Sequence, residues 1–160
     1  MLRWLWLSVI VVILDQITKY IALAQLSGRP PIEILPFFNF VLVFNSGAAF
    51  GFLNDADGWQ NLFFIALASI VSIVFLVMIA RLKPSELQLA VAFSLVLGGA
   101  VGNLIDRFVN GHVIDFLDFY YGGWHFPTFN AADSAITIGA VLLILDALGL
   151  RLISSKTSAE

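Results

Sequence analysis

Four stretches of this chain are nearly free of charge: residues 4–23, 61–79, 87–105 and 131–150. Each is close to the roughly 20 residues an α-helix needs to cross a bilayer. The first is interrupted by Asp15, Gln16 and Lys19, whereas the second and third are cleaner. Residues 80–86 join the second and third. Pro84 and the charges there predict a tight exposed turn, with Ser85 as the N-cap of the third helix. The connections 25–60 and 106–130 are long. Within the first, residues 37–44 are rich in aromatic and β-branched side chains, which predicts extended structure, and the run ends in a turn signal at residues 45–51. The pattern predicts an all-α membrane protein of one domain, residues 1–160, with four transmembrane helices. A small strand-rich extracytoplasmic platform would lie at the outer surface of the membrane. The same aromatic residues also suit an interfacial belt that anchors the loop. Residues 154–160 read as a disordered tail. Arg3, an apolar run and Ala22-Leu23-Ala24 also fit a cleaved signal peptide, but Asp15 and Lys19 inside the run argue for a retained helix.

Composition strengthens the membrane reading. The 160 residues are 60% hydrophobic and 12% charged, where soluble domains are about half apolar and about a quarter charged. A net charge of -3 gives no reason to expect nucleic acid as a partner. The absence of cysteine excludes disulfides, a thiol nucleophile, Fe–S clusters and Cys-based zinc. Lys and Arg set orientation. Arg3, Arg81, Lys83, Arg151 and Lys156 fall on one side, Lys19, Arg29 and Arg107 on the other. The first side is predicted to be cytoplasmic, with both termini inside. Most acidic residues, Asp55, Asp57, Asp106, Asp115 and Asp118 among them, then lie outside, and so does any chemistry.

The polar residues inside these stretches are the candidate chemistry. Asp15, Thr18 and Lys19 share one helical face, in the favourable order for an intrahelical pair. That face is either a neutralised structural pair or the wall of a polar cavity. Gly98 and Gly102 form a small-xxx-small pattern that lets another helix approach. Gly99, Asn103, Asp106 and Arg107 fall on roughly one face, and Asn103 is deep enough to need a hydrogen-bond partner. Asp115 lies in a short apolar extended run, and Asp118 reads as its solvent-facing neighbour. Asn130 is a natural N-cap for the last helix. Asp133 is then at N3, where a carboxylate compensates the helix dipole. Metal would have to draw on His112, His125 and an aspartate without a ligand motif, and serine catalysis lacks its motif around Ser46. The carboxylates Asp115 and Asp133 remain. Close together, two carboxylates share a proton, so one can activate water while the other polarises a carbonyl, with no cofactor and no metal. A different class, a small polytopic transporter or ion-conducting bundle, would use Asp15, Lys19, Asn103 and Asp133 as a proton or cation path.

Five ordered motifs decide between these classes. They are Asp15-Gln16-Ile17-Thr18-Lys19, the Asn45–Gly51 turn, the run from Gly98 to Arg107, Val113-Ile114-Asp115-Phe116, and Phe129-Asn130-Ala131-Ala132-Asp133. With them the chain resembles the lipoprotein signal peptidase, or signal peptidase II, family over nearly its whole length. The resemblance implies an aspartic intramembrane endopeptidase of the bacterial inner membrane, its active site near the outer face. Asp115 and Asp133 match the family's catalytic dyad. Asn45, Gly47, Asn103, Asp106, Arg107 and Asn130 match positions that support the dyad or contact substrate, and Asp15 and Lys19 match a structural motif. The implied partners are membrane lipids and diacylglyceryl-modified prolipoproteins, cut just before the lipidated cysteine. The family is also the target of globomycin-type inhibitors. An unwound signal-peptide segment is expected to pair along the extended run 38–44.

Overall fold

The computed structural model describes residues 1–47 and 59–153. Part of the turn motif (48–51), Asp55, Asp57, and the tail 154–160 with Lys156 lie outside the described residues. A short 3-10 turn, Leu2–Trp4, leads into α1 (Leu5–Leu26). Then follow β1 (Ile32–Leu35), β2 (Phe38–Asn45), α2 (Trp59–Arg81), α3 (Leu87–Asn110), β3 (Val113–Tyr121), β4 (Trp124–His125) and α4 (Ala131–Ala147). α1, α2 and α3 are long and apolar enough to cross a membrane. α4 has 17 residues. α3 continues to Asn110, so Asp106 and Arg107 sit on the helix and not in the connection after it.

α3 is the axis of the bundle and packs against all three other helices. Its small residues explain why. A Cβ added at Gly98 would stand 2.7 Å from Val11 Cβ and 2.9 Å from the Ser8 carbonyl on α1. A Cβ at Gly99 would collide with the Ala132 carbonyl on α4, and one at Gly102 would lie 2.6 Å from Asp15 Oδ2. The glycines therefore bring two backbones within reach of one helix, as the small-xxx-small pattern predicts.

The N-cap of α3 is Glu86, not Ser85, and it makes no side-chain cap bond. The Glu86 carboxylate instead accepts from the Lys83 backbone N–H at 2.6 Å and closes the turn. Two residues further in, buried Gln88 ties the far end of α4 to α3. Its amide donates to the carbonyls of Leu142 and Leu150, and its oxygen accepts from the N–H groups of Leu152 and Ile153.

The strands form one antiparallel sheet in the order β1-β2-β3-β4. A two-residue turn, Gly122-Gly123 with φ of 56° and 84°, joins β3 to β4, as positive φ at both central positions demands of a type I′ hairpin. β2 is an interior strand. β1 pairs with it only as far as Phe40, and β3 covers its other side from Phe38 to Asn45 with a register shift between Phe40 and Val43. Residues 38–40 therefore offer no free edge to a peptide. Within β2, only the β1 side of 41–45 lacks a partner strand among the described residues. The sheet packs on the end of α1 through Ala22, Leu26 and Phe116, with Phe40, Leu42 and Leu117 around them. Chain connectivity puts it where α1 and α3 end and α2 and α4 begin. Arg3, Arg81, Lys83 and Arg151 are at the opposite end.

Candidate active site

β3 carries Asp115 in on an extended run whose residues 113–116 are all buried. The first turn of α4 carries Asp133. Between them stands Asn130, fully buried and the N-cap of α4. Its side-chain oxygen accepts from the Asp133 N–H at 3.0 Å, and its backbone N–H donates to Asp133 Oδ2 at 3.2 Å. This closed capping box is the one that the N-cap and N3 positions predict. The same Asn130 side chain donates to Asp115 Oδ1 at 2.7 Å. One asparagine thus touches both carboxylates.

Each remaining carboxylate oxygen also receives a donor. Asn45 Nδ2 reaches Asp115 Oδ2 at 3.0 Å, and Asn103 Nδ2 reaches Asp133 Oδ1 at 2.8 Å. Val43 is the cross-strand partner of Asp115, which sets Asn45 beside it. The Asn45 oxygen accepts from the Gly47 N–H at 2.8 Å. Gly47 has φ 111°, and a Cβ there would lie 2.5 Å from the Phe64 ring, so the turn closes only with glycine. Burial pushes the Asp115 carboxyl up from an ordinary 3.8 to about 6. The amides of Asn45 and Asn130 work against that rise, and the neighbouring Asp133 charge adds to it.

Behind the pair lies a second polar layer. Lys19 is 1% exposed. Its ammonium contacts Asp15 Oδ2, Asp106 Oδ2 and Asn103 Oδ1, each at 2.8 Å. Asp15 Oδ1 accepts from the Ala132 N–H at 2.9 Å, so a side chain of α1 caps α4. Asp106 Oδ2 also accepts from the Ile114 N–H at 3.1 Å and holds β3 to α3.

The structure therefore brings Asp15, Lys19, Asn45, Asn103, Asp106, Asp115, Asn130 and Asp133 into one connected network, with Gly47 at its margin. Arg107 is directed elsewhere. Its guanidinium carbon lies 4.8 Å from the centre of the Phe64 ring on α2, a cation–π contact. Its Nη1 is buried with no hydrogen-bond partner among the described residues.

Some participants escaped the sequence reading. Gln16 donates to Asp106 Oδ1 at 3.0 Å and to the Gly102 carbonyl at 3.2 Å. A polar residue beside Asp15 in an apolar helix was its only signal. Asp118 is not the solvent-facing neighbour of Asp115. It is 4% exposed, and it accepts from Asn39 Nδ2 at 3.2 Å and meets His125 Nδ1 at 2.9 Å. Cross-strand pairing with Asn39 draws it inward. The two histidines go separate ways, His112 packing on Phe44 and His125 on Asp118.

Apolar helices and a small antiparallel sheet that meet around buried carboxylates define a helical membrane-type protein with a polar site at one end. The family model described as signal peptidase (SPase) II matches residues 7–149, and the chain belongs to that family of peptidases. It is similar to the lipoprotein signal peptidase of Acinetobacter baumannii, 52% identical over 145 residues that span 91% of this chain and 82% of the relative. That of Coxiella burnetii is 51% identical over 142 residues, 89% of this chain and 87% of the relative. A bacterial membrane enzyme solved in meso at 2.3 Å superposes with a TM-score of 0.77 at 34% identity, covering 100% of this chain and 96% of the other. A second, at 1.9 Å, gives 0.80 at 37% identity over 92% and 94%.

Proposed function

We propose that this peptidase is a membrane-embedded aspartic endopeptidase. It removes the signal peptide from diacylglyceryl-modified prolipoproteins just before the lipidated cysteine, with Asp115 and Asp133 as its catalytic dyad. The observation that carries this reading is Asn130, which holds both carboxylates through opposite ends of one residue. Two carboxylates bridged by one residue can share one proton and titrate as a pair. The ionised member takes a proton from water, and the water oxygen bonds to the scissile carbonyl carbon. The protonated member donates to the carbonyl oxygen. The tetrahedral diol then collapses: one of its hydroxyls returns a proton to the dyad as the carbonyl re-forms, the C–N bond breaks, and the nitrogen leaves with a proton from the dyad, which ends singly protonated. No cofactor enters these steps.

The same reading places α4 as a fourth span, both termini in the cytoplasm, and the sheet at the outer face of a bacterial inner membrane. The basic residues at the far end of the bundle support that orientation. A lipidated substrate enters sideways from the bilayer with its acyl chains still in lipid. The unpaired Nη1 of Arg107 suits a substrate carbonyl, and the β1 side of residues 41–45 suits an extended peptide. Globomycin-type inhibitors would compete at this site. A cation path is disfavoured, because all three protons of Lys19 are committed to internal partners.

Purified protein should cleave a diacylglyceryl prolipoprotein with EDTA present and stop when globomycin is added. Asp115→Asn and Asp133→Asn should each be inactive while still folding and inserting. Cleavage by either single variant would refute the dyad, and loss of activity to EDTA would point to a metal instead.

A further inference from the structure

Three asparagines face the two carboxylates, and each could in principle present either its oxygen or its NH2. A fixed N–H or ammonium donor settles each orientation. The Gly47 N–H occupies the Asn45 oxygen, and the Asp133 N–H occupies the Asn130 oxygen. The third anchor is of a different kind. Lys19 has three protons and no acceptor, and all three are used at 2.8 Å, on Asp15, Asp106 and Asn103. Asn103 must therefore turn its oxygen to the ammonium and its NH2 to Asp133 Oδ1.

The result is asymmetric. Both oxygens of Asp115 and both of Asp133 accept from amide N–H groups. Only Asp133 has a donor whose own oxygen is held by a buried cation, which polarises that amide and strengthens its bond to a carboxylate. Asp133 also stands in the first turn of α4, where the helix dipole favours negative charge. The charged groups around the pair are Asp15 and Lys19 from α1, and Asp106 and Arg107 from α3. β2 brings only the neutral Asn45. Asp15 and Asp106 are bound directly to Lys19, and the hydrogen-bonded path from the ammonium to Asp133 runs through Asn103, whose oxygen also accepts from Asn130 Nδ2 at 3.1 Å.

We infer that Lys19 is a positioning residue: through Asn103 it keeps Asp133 the water-activating carboxylate and leaves the proton of the dyad on Asp115. This rests on the dyad reading above. It gives the Asp15–Lys19 motif a part in the reaction that a purely structural pair would lack.

The test is the pH profile of kcat for cleavage of a diacylglyceryl prolipoprotein. Lys19→Met combined with Asp106→Asn removes the cation while leaving the net charge of the Asp15–Lys19–Asp106 cluster unchanged. Its low-pH limb should move up by about one pH unit, a tenfold loss on the limb, with KM unchanged. Lys19→Arg, which keeps a cation at this position, should leave the limb near its wild-type position. Should the double variant fail to fold, Asn103→Ala on the native Lys19 must shift the limb in the same direction. A limb that stays in place in a folded Asn103→Ala variant overturns the inference, whatever happens to the rate. Asp115→Asn and Asp133→Asn run in the same assay separate the two readings. Cleavage by either one sinks the dyad. Inactivity of both with an unmoved Asn103→Ala limb sinks only the role of Lys19.

Discussion

α2 and α3 invert the usual relation between hydrophobicity and burial. α2 is the more apolar of the two, yet Gln60 and Ile79 are its only buried residues, and Leu62, Ile70 and Ile73 are each more than half exposed. α3 carries glycines, a buried serine and a buried aspartate, and it is covered nearly throughout from Gln88 to Gly102. In water the apolar helix would be the core. In lipid an apolar surface gains nothing by hiding, so the interior goes to residues that allow close approach or need polar partners. The less apolar of these two helices is thus the axis of the bundle and carries Asn103 and Asp106 into the polar network.

The largest effect expected from this contrast is at the polar centre. If the two aspartates are the dyad, Asp115→Asn and Asp133→Asn should each cost at least about 10²- to 10⁴-fold in cleavage, and a discontinuous cleavage assay on reconstituted protein reads the loss. Next is the close approach along α3. Gly99→Ala pushes a methyl into the Ala132 carbonyl and should cost about 1–3 kcal/mol. Thermal unfolding in detergent measures this, and an unchanged Tm would mean that α3 and α4 separate more easily than the contact suggests.

A smaller effect is expected at the sheet. Val43 pairs with Asp115, so a proline there would disturb the site itself, whereas Val41 lies in the register shift. Val41→Pro should raise KM several-fold at near-normal stability, and normal turnover would remove the strand-pairing role of this segment. The pH dependence of stability is subtler. Because the Asp115 carboxyl is pushed up to about 6, the folded state holds this proton more tightly than the unfolded chain does. Its stabilisation is full below about pH 4 and is lost as pH rises through about 6. Asp115→Asn should therefore flatten the fall in Tm between pH 4 and pH 7, and an equally steep fall in the variant would assign the dependence to another group. The smallest effect belongs to α2. Ile70→Ala, on its lipid-facing surface, should change stability by no more than about 0.5 kcal/mol, and a larger loss of Tm would show that α2 packs against more than lipid.

Local features were legible in the chain because their physics is local. The capping box of Asn130 and Asp133, the extended run of β2, the Gly98/Gly102 approach face and the Asp15–Lys19 pair each depend on residues a few positions apart. Other features required the folded bundle. Asp118 looked exposed from its place in an aromatic loop, but the β2–β3 register turned it onto Asn39. Arg107 is expected on one face with Asn103 and Asp106 and instead leans on Phe64 from α2.

By itself, then, the sequence determined that this is an apolar helical protein with few internal polar residues, and it named nearly all of those that meet in the polar network. Only the tertiary structure decided how they are wired. Asp15 reaches across 117 positions to cap α4, and Lys19 reaches across 84 to orient Asn103. Asn130 spans the two aspartates because strand and helix converge on it. Helical periodicity tells which side of its own helix a residue occupies, but the rotation of each helix against its neighbours, set here by glycine contacts and strand register, decides which side chains meet.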